Sequence, residues 1–386
     1  MITTNMSKLL LVQPYIPEYR VPLFQLLKES LAQEGIELAI AAGVARGKDS
    51  ARSDDRSADR SDFILQQKSM NLGFKVVQKR DLDQALAEFR PTLVIVEQAI
   101  KNVETWGLIA RWKLKGKPSV AMWGQGRSYS TSQSRIETLA KTWLTKRSDW
   151  FFAYTQGGAD FMVEKGFPSS RLTVLNNSTD TANLQSDLKN ISVQELNDYR
   201  TKHGLKPGRT ALFLGGIDER KGIPFLLKAA HEVSAELNDF RLLVGGQGSL
   251  ECEVVRSAKE TKYIVYLGRV EGREKALALA AADLLVIPEW VGLVAVDSLA
   301  AQVPIVTTNH SSHSPEAEYL IHNTNSMFVE HAVSTYAKAI EDLLVGESKL
   351  RQLSVGCNSS IQSLSIELMA ERFHDGVISW SNSKST

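Results

Sequence analysis

The chain has 386 residues, more than one hydrophobic core ordinarily organises and comfortable for two domains. Its 45 basic and 44 acidic side chains leave a formal net charge of +1, which excludes the basic excess of a nucleic-acid binder. Two cysteines, Cys252 and Cys357, cannot build a disulfide framework and suit a reducing cytosol. No apolar run reaches the length that spans a bilayer, so the expected location is the cytoplasm, with the cytoplasmic face of a membrane still open.

The N-terminal apolar run Leu9 to Val12 is too short for a signal peptide and reads as a first buried strand. Similar runs follow at 38–42, 74–77, 93–96, 119–122 and 150–153, separated by helix-like segments. Short buried strands interleaved with helices predict a parallel sheet covered on both faces, an α/β doubly wound domain over residues 1–182. The polar, mixed-sign segment 46–62 has no period and reads as a loop. Asp81 and Asp83 open a helix that runs to Phe89 and are expected to cap it.

A polar stretch, 183–208, with a helix expected over Val193 to His203, is read as a linker. Strand and helix then alternate again at 211–214, 241–244, 264–267, 284–287 and 305–307, which predicts a second Rossmann-like domain over 209–360. A final helix, 361–386 with its core near Ile366 to Trp380, completes the chain.

The stretch Pro288 to Val306 concentrates the chemistry. Gly292 leaves the backbone bare where a helix begins, so its N–H and those of Leu293 and Val294 can face an anion, aided by the helix dipole. Glu289 stands beside that position, and Asp297, further along the helix, can accept hydrogen bonds from ribose hydroxyls. Earlier, a strand ends in Gly215-Gly216 and the basic pair Arg220-Lys221 precedes a helix, placed to neutralise a leaving diphosphate. Gly245-Gly246-Gln247-Gly248 follows another strand but lacks the spacing of a dinucleotide fingerprint. His310 and His313 have no cysteine or carboxylate companion nearby in sequence, so no metal site is expected, and Ser314 before Pro315 reads as a helix cap.

Taken in order, Gly215, Lys221-Gly222, Val244-Gly245, Gly248, Gly268, Ala282-Asp283, Glu289, the acid at 297 after seven intervening residues, Ala300, Pro304-Ile305-Val306 and Pro315-Glu316 resemble family-4 retaining glycosyltransferases. The likeness runs over roughly residues 172 to 330 and is specific as an ordered set. It implies the GT-B architecture, two Rossmann-like domains facing a cleft, with the final helix crossing back to the first domain. It also implies transfer of a sugar from a nucleotide diphosphate sugar to a hydroxyl acceptor, a glycan or lipid-linked glycan, with retention and without a metal or other cofactor.

By this resemblance Glu289, Lys221 and Arg220 are the catalytic candidates. Gly216, Gly245, Gly248, Arg269, Val270, Gly292, Leu293, Val294, Asp297 and Glu316 are the donor-binding ones. Tyr19, Arg20, Gln125 and Arg127 are expected on the acceptor side. Three positions depart from the family pattern: Gly216 stands where an arginine is usual, Gln125 near a usual histidine, and Asp297 for a glutamate. Gln125 can bond a sugar hydroxyl but cannot transfer a proton near neutral pH. A nucleotide-sugar epimerase of the same architecture and a non-catalytic binding subunit are the alternatives.

Between Lys101 and Trp150, ten cations (Lys101, Arg111, Lys113, Lys115, Lys117, Arg127, Arg135, Lys141, Lys146 and Arg147) oppose three acids, Glu104, Glu137 and Asp149. Trp106, Trp112, Trp143 and Trp150 are interleaved with them, a composition suited to peripheral contact with an anionic membrane.

Overall fold

The computed structural model describes residues 7–47, 54–72, 75–116, 118–129 and 134–384. The chain divides into two compact units: 1–128, 132–177 and 366–386 form the first, and 129–131 with 178–365 the second.

The first unit carries the strands β1 (Ser7–Gln13), β2 (Ile36–Ala42), β3 (Phe63–Ile64), β4 (Gln67–Leu72), β5 (Lys75–Arg80), β6 (Leu93–Glu97), β7 (Ser119–Gly124), β8 (Trp150–Ala153) and β9 (Leu172–Val174). Seven of them make one parallel sheet in the order β3-β2-β1-β6-β7-β8-β9. The run expected at 74–77 belongs elsewhere: β5 pairs antiparallel with β4 in a separate two-stranded ribbon, and Phe74 lies outside the described residues.

Both faces of the sheet are buried, which is why its strands read as unbroken apolar runs. Leu9 and Leu11 of β1 pack on one side with Phe24, Leu27, Phe373 and Trp380, while Leu10 and Val12 pack on the other with Phe89, Ile109 and Phe151. The last helix, Ile366–Asn382, contributes Ile366, Met369, Phe373, Val377 and Trp380 to the first of these cores. Its Trp380 Nε1 donates to Asp149 Oδ2 at 3.1 Å and to Ser119 Oγ at 3.2 Å, so the indole is buried with its polar atom satisfied.

The second unit carries β10 (Thr210–Leu214), β11 (Arg241–Gly245), β12 (Ile264–Gly268), β13 (Leu284–Val286), β14 (Ile305–Thr308) and β15 (Ser326–Val329). They form one parallel sheet in the order β12-β11-β10-β13-β14-β15. The strand sequence reverses direction between β10 and β13, and the crevice beyond the carboxyl ends at such a switch point is where open α/β sheets bind ligands.

The stretch 183–208 is not a linker. It holds most of the helix Thr181–Lys189 and all of Val193–His203, capped by the side chains of Asp180 and Ser192. Leu184, Tyr199 and Leu205 enter the second core. Of the polar segment 46–62, residues 48–53 lie outside the described residues, and Ser57–Arg60 forms one helical turn.

Candidate functional site

Two loops leave adjacent strands at the switch point of the second sheet: 215–222 after β10 and 287–293 after β13. Lys221 ends a short 3-10 turn, Glu219–Lys221, and is only 8% exposed. Its Nζ donates to the carbonyl of Trp290 at 2.8 Å, tying the first loop to the second. A Cβ placed on Gly215 would lie 3.6 Å from that Nζ, and one on Gly292 3.8 Å from it. The ammonium therefore sits between a bare glycine strand end and the start of the helix Val294–Ala301.

The N–H groups of Gly292, Leu293 and Val294 donate to no acceptor among the described residues, whereas the carbonyls of Gly292 and Leu293 already serve Ala295 and Val296. Three free donors at a helix mouth beside a buried cation make an anion-binding position.

Glu289 reaches over Gly222, whose φ is +66° and whose missing Cβ would fall 2.9 Å from the Glu289 carboxyl carbon. Any side chain at 222 would both strain the backbone and push that carboxylate away. Glu289 Oε1 meets His331 Nε2 at 2.9 Å, and the His331 ring stacks on Phe225 at 4.6 Å. His310 joins them: one ligand atom from each of Glu289, His310 and His331 lies within 4.8 Å of the others, a grouping that could hold a metal ion. The companions that His310 lacks in sequence are thus supplied by the fold. His310 Nδ1 accepts the Ser312 N–H at 3.2 Å.

His313 is a peg of the same loop. Its Nδ1 accepts from the Val291 N–H at 3.2 Å and its Nε2 lies 2.8 Å from the Thr308 carbonyl, a pairing that wants the neutral ring. Burial, then the charges of His310 and Lys221, hold its pKa below the ordinary value, against the opposing pull of the Thr308 carbonyl and Glu289. Ser314 occupies the cap position of the 3-10 helix Pro315–Tyr319 without capping it; its hydroxyl instead bonds the Val291 carbonyl and the Glu316 carboxylate. Glu316 is buried beside it.

Asp297 stands in the first turn of Val294–Ala301 and is already engaged: Lys275 Nζ approaches its two oxygens at 3.3 and 3.2 Å, and the Thr179 hydroxyl donates to Oδ1 at 3.4 Å. Lys275 went unnoticed in the sequence, lying 22 residues away on another helix.

Other residues singled out in the sequence have different surroundings. Arg220 is exposed, paired with Asp218 at 3.0 Å and poised over the Trp290 ring at 5.5 Å. A Cβ on Gly216 would meet only Asp218 Oδ2, at 3.5 Å. Gly245 and Gly248 do not leave open space: side chains there would collide with Val270 Cγ2 at 2.7 Å and the Ile217 carbonyl oxygen at 2.3 Å. Their bareness lets two strand-end loops touch each other. Val270 fills that contact, and Arg269 Nε bonds Glu271 at 2.7 Å.

In the first unit Arg20 is 3% exposed, its guanidinium 4.9 Å from the rings of Tyr19 and Trp123. It donates to Asn177 Oδ1 at 2.6 Å and to Met369 Sδ at 3.5 Å, so it fastens the 177 loop and the last helix. Tyr19 remains exposed beside it. Gln125 lines a cavity of about 520 Å³ with Gln98, Glu97, Lys141 and Tyr154. Gln98, not singled out in the sequence, clamps Gly126 from both sides, accepting its N–H at 2.9 Å and donating to its carbonyl at 3.3 Å. Arg127 is exposed, and its carbonyl accepts from Lys141 Nζ at 3.2 Å.

Two Rossmann-like units built on parallel sheets are the GT-B fold. Anabaena HepE, solved in complex with UDP, superposes with a TM-score of 0.68 over 97% of this chain and 100% of its own, at 14% identity. A UDP-N-acetylglucosamine 2-epimerase gives 0.59 over 91% of each chain, also at 14% identity. These likenesses establish the fold. Residues 208–345, within the second unit, match the family model of glycosyl transferases, group 1, and lie mostly inside the span of the resemblance read from the sequence. The phosphatidyl-myo-inositol mannosyltransferase of Mycobacterium leprae is 36% identical over 107 residues, 26% of this chain and 29% of that protein. The matched segment thus spans under a third of the length of these curated relatives.

Proposed function

We propose that this chain moves a sugar from a nucleotide diphosphate sugar to a hydroxyl acceptor, a glycan or lipid-linked glycan, with retention of anomeric configuration and without an obligatory metal. The observation that carries the reading is the meeting of Lys221 with the free N–H groups of Gly292, Leu293 and Val294 at the switch point of the second sheet. A diphosphate placed there would have its developing charge met by fixed donors and a cation. The bond from the anomeric carbon to the diphosphate oxygen breaks as the acceptor oxygen bonds that carbon from the same face. The acceptor proton passes to a diphosphate oxygen. Such a step asks for positioning and charge stabilisation, with no protein base, which agrees with a glutamine at 125.

Glu289 would accept hydrogen bonds from donor-sugar hydroxyls, Asp297 from the ribose, and Glu316 supports the loop between them. A mannosyl donor is the first to try, because relatives that match about a quarter of this chain are named mannosyltransferases. The enzyme would work in the cytoplasm, at the membrane face where lipid-linked acceptors lie. Among the described residues no helix is long and apolar enough to cross a membrane.

The test is a melting screen against UDP, GDP, ADP and their sugars, followed by NMR of the product formed with an acceptor panel. Ligands that bind the folded chain raise its melting temperature by mass action. An α-linked product from an α-linked donor, formed equally in excess EDTA, supports the reading. An inverted product overturns retention, and loss of turnover in EDTA that returns with a divalent ion overturns metal independence. Release or rearrangement of the sugar with no acceptor present would instead make the chain an epimerase-like enzyme.

A further inference from the structure

The helix Arg135–Thr145 lies on the first unit with its apolar side turned outward. Ile136 is 76% exposed, Leu139 69% and Trp143 47%, and their spacing of three and four residues puts them on one stripe. The opposite side, packed inward, carries Leu144 but also Lys141 and Thr145. Those two are held by polar contacts: Lys141 Nζ donates to the Arg127 carbonyl at 3.2 Å, and Thr145 Oγ1 accepts from Gln98 Nε2 at 2.9 Å. A surface helix of a water-soluble domain has the reverse arrangement, with its apolar stripe on the core.

The stripe continues onto the neighbouring helix Val103–Lys115. Trp106, 37% exposed, stacks on Trp143 with ring centroids 5.8 Å apart, and Arg147 lies over the Trp143 ring at 3.2 Å. Leu114 is exposed further along the same helix.

The border of this surface is cationic because its acids are spent. Glu104 is buried against Arg80 at 2.6 Å. The Glu137 carboxylate folds back on the Ser134 N–H at 3.2 Å, and Asp149 is buried, receiving Trp380, Ser119 and Lys384. Lys101, Arg111, Lys113, Lys115, Arg135 and Lys146 remain exposed. Of the tryptophans in this stretch, Trp123 and Trp150 are in one core and Trp112 packs against the other, while Trp106 and Trp143 are exposed.

We propose that Ile136, Leu139 and Trp143, with Trp106 beside them, insert into the headgroup region of an anionic bilayer while the surrounding lysines and arginines hold its phosphates. An outward apolar stripe fringed by cations is the arrangement of a helix lying in a membrane interface, and the charge complementarity selects an acidic lipid surface over a neutral one. The proposal rests on the membrane-face reading above and is independent of whether the chain transfers sugar.

The experiment floats the full chain with vesicles of phosphatidylglycerol mixed with phosphatidylcholine, and with phosphatidylcholine alone. The expected result is recovery with the anionic vesicles, weakened by salt, with tryptophan emission quenched by brominated lipid. Ile136→Ser, Leu139→Ser and Trp143→Ser should each weaken binding by about tenfold, from the burial of one large apolar side chain. Because all three are exposed, the melting temperature should be kept, and transfer to a water-soluble acceptor, measured in parallel, should not change. Equal recovery with neutral vesicles, binding without quenching, or parent-like binding of the triple variant overturns the proposal. So does a concentration-dependent dimer that the triple variant abolishes while no vesicle is bound, because the face would then cover a second copy.

Discussion

Replacing Lys221 by methionine keeps the length of the side chain and removes its charge, and the structure separates two consequences. The Trp290 carbonyl loses the donor at 2.8 Å, on a residue whose φ of +47° already holds an uncommon backbone conformation. A fully buried acceptor left without its partner costs about 1–3 kcal/mol of stability, and this partly buried one should cost about 1 kcal/mol. Unfolding in urea should therefore begin earlier, while the far-UV circular dichroism of the native baseline stays that of the parent.

The second consequence falls on turnover. With the ammonium gone, the leaving diphosphate would keep only the three N–H groups at 292–294. Loss of one such stabilising group costs about 3 kcal/mol of barrier, on the order of a hundredfold in kcat. Initial rates with the donor identified by melting, at saturating donor and acceptor, read this directly. Lys221→Arg retains the charge and should recover part of the rate with little change in KM for the acceptor. If Lys221→Met turns over within a few fold of the parent in a sample that is folded, the site at the β10/β13 switch point does not carry the reaction.

Asp297→Ala should raise the dissociation constant for the nucleotide about tenfold, the scale of one charged hydrogen bond, while Asp297→Glu stays near the parent; unchanged binding to the alanine variant in calorimetric titration would leave Asp297 as no more than the partner of Lys275. Because burial holds the His313 pKa below 6.5, the unfolded chain takes up the proton first as pH falls. The stabilisation is complete above that value and is lost as pH drops through it toward the folded pKa. Melting temperature should decline from pH 7.5 to 5.5, two settings of about one unit either side of the unfolded value, and the decline should be shallower in His313→Asn. Trp380→Ala should cost about 3–5 kcal/mol in urea unfolding of the first unit, with the nucleotide affinity of the chain unchanged below the transition. An equal loss of nucleotide affinity would mean that the two units are not independent in binding.

The strands of both sheets were legible in the sequence because parallel strands buried on both faces must be apolar throughout, as Leu9 to Val12 and Ala211 to Leu214 are. So was the helix mouth after Gly292, since a glycine, an apolar run and an acid one turn in are local signals. The last helix was legible too, by the spacing of Ile366, Met369, Phe373, Val377 and Trp380.

Helix Thr181–Lys189 escaped because it offers the core little beyond Leu184, and its polar remainder looked like a linker. Tertiary structure alone put Glu289, His310 and His331 together, gave Asp297 its lysine, closed Arg20 between aromatic rings, and turned Ile136, Leu139 and Trp143 away from the core. Periodicity reports what a residue's own turn or strand does. Which distant loops meet depends on the order in which strands add to a sheet, and that order places β13 beside β10 across more than sixty intervening residues.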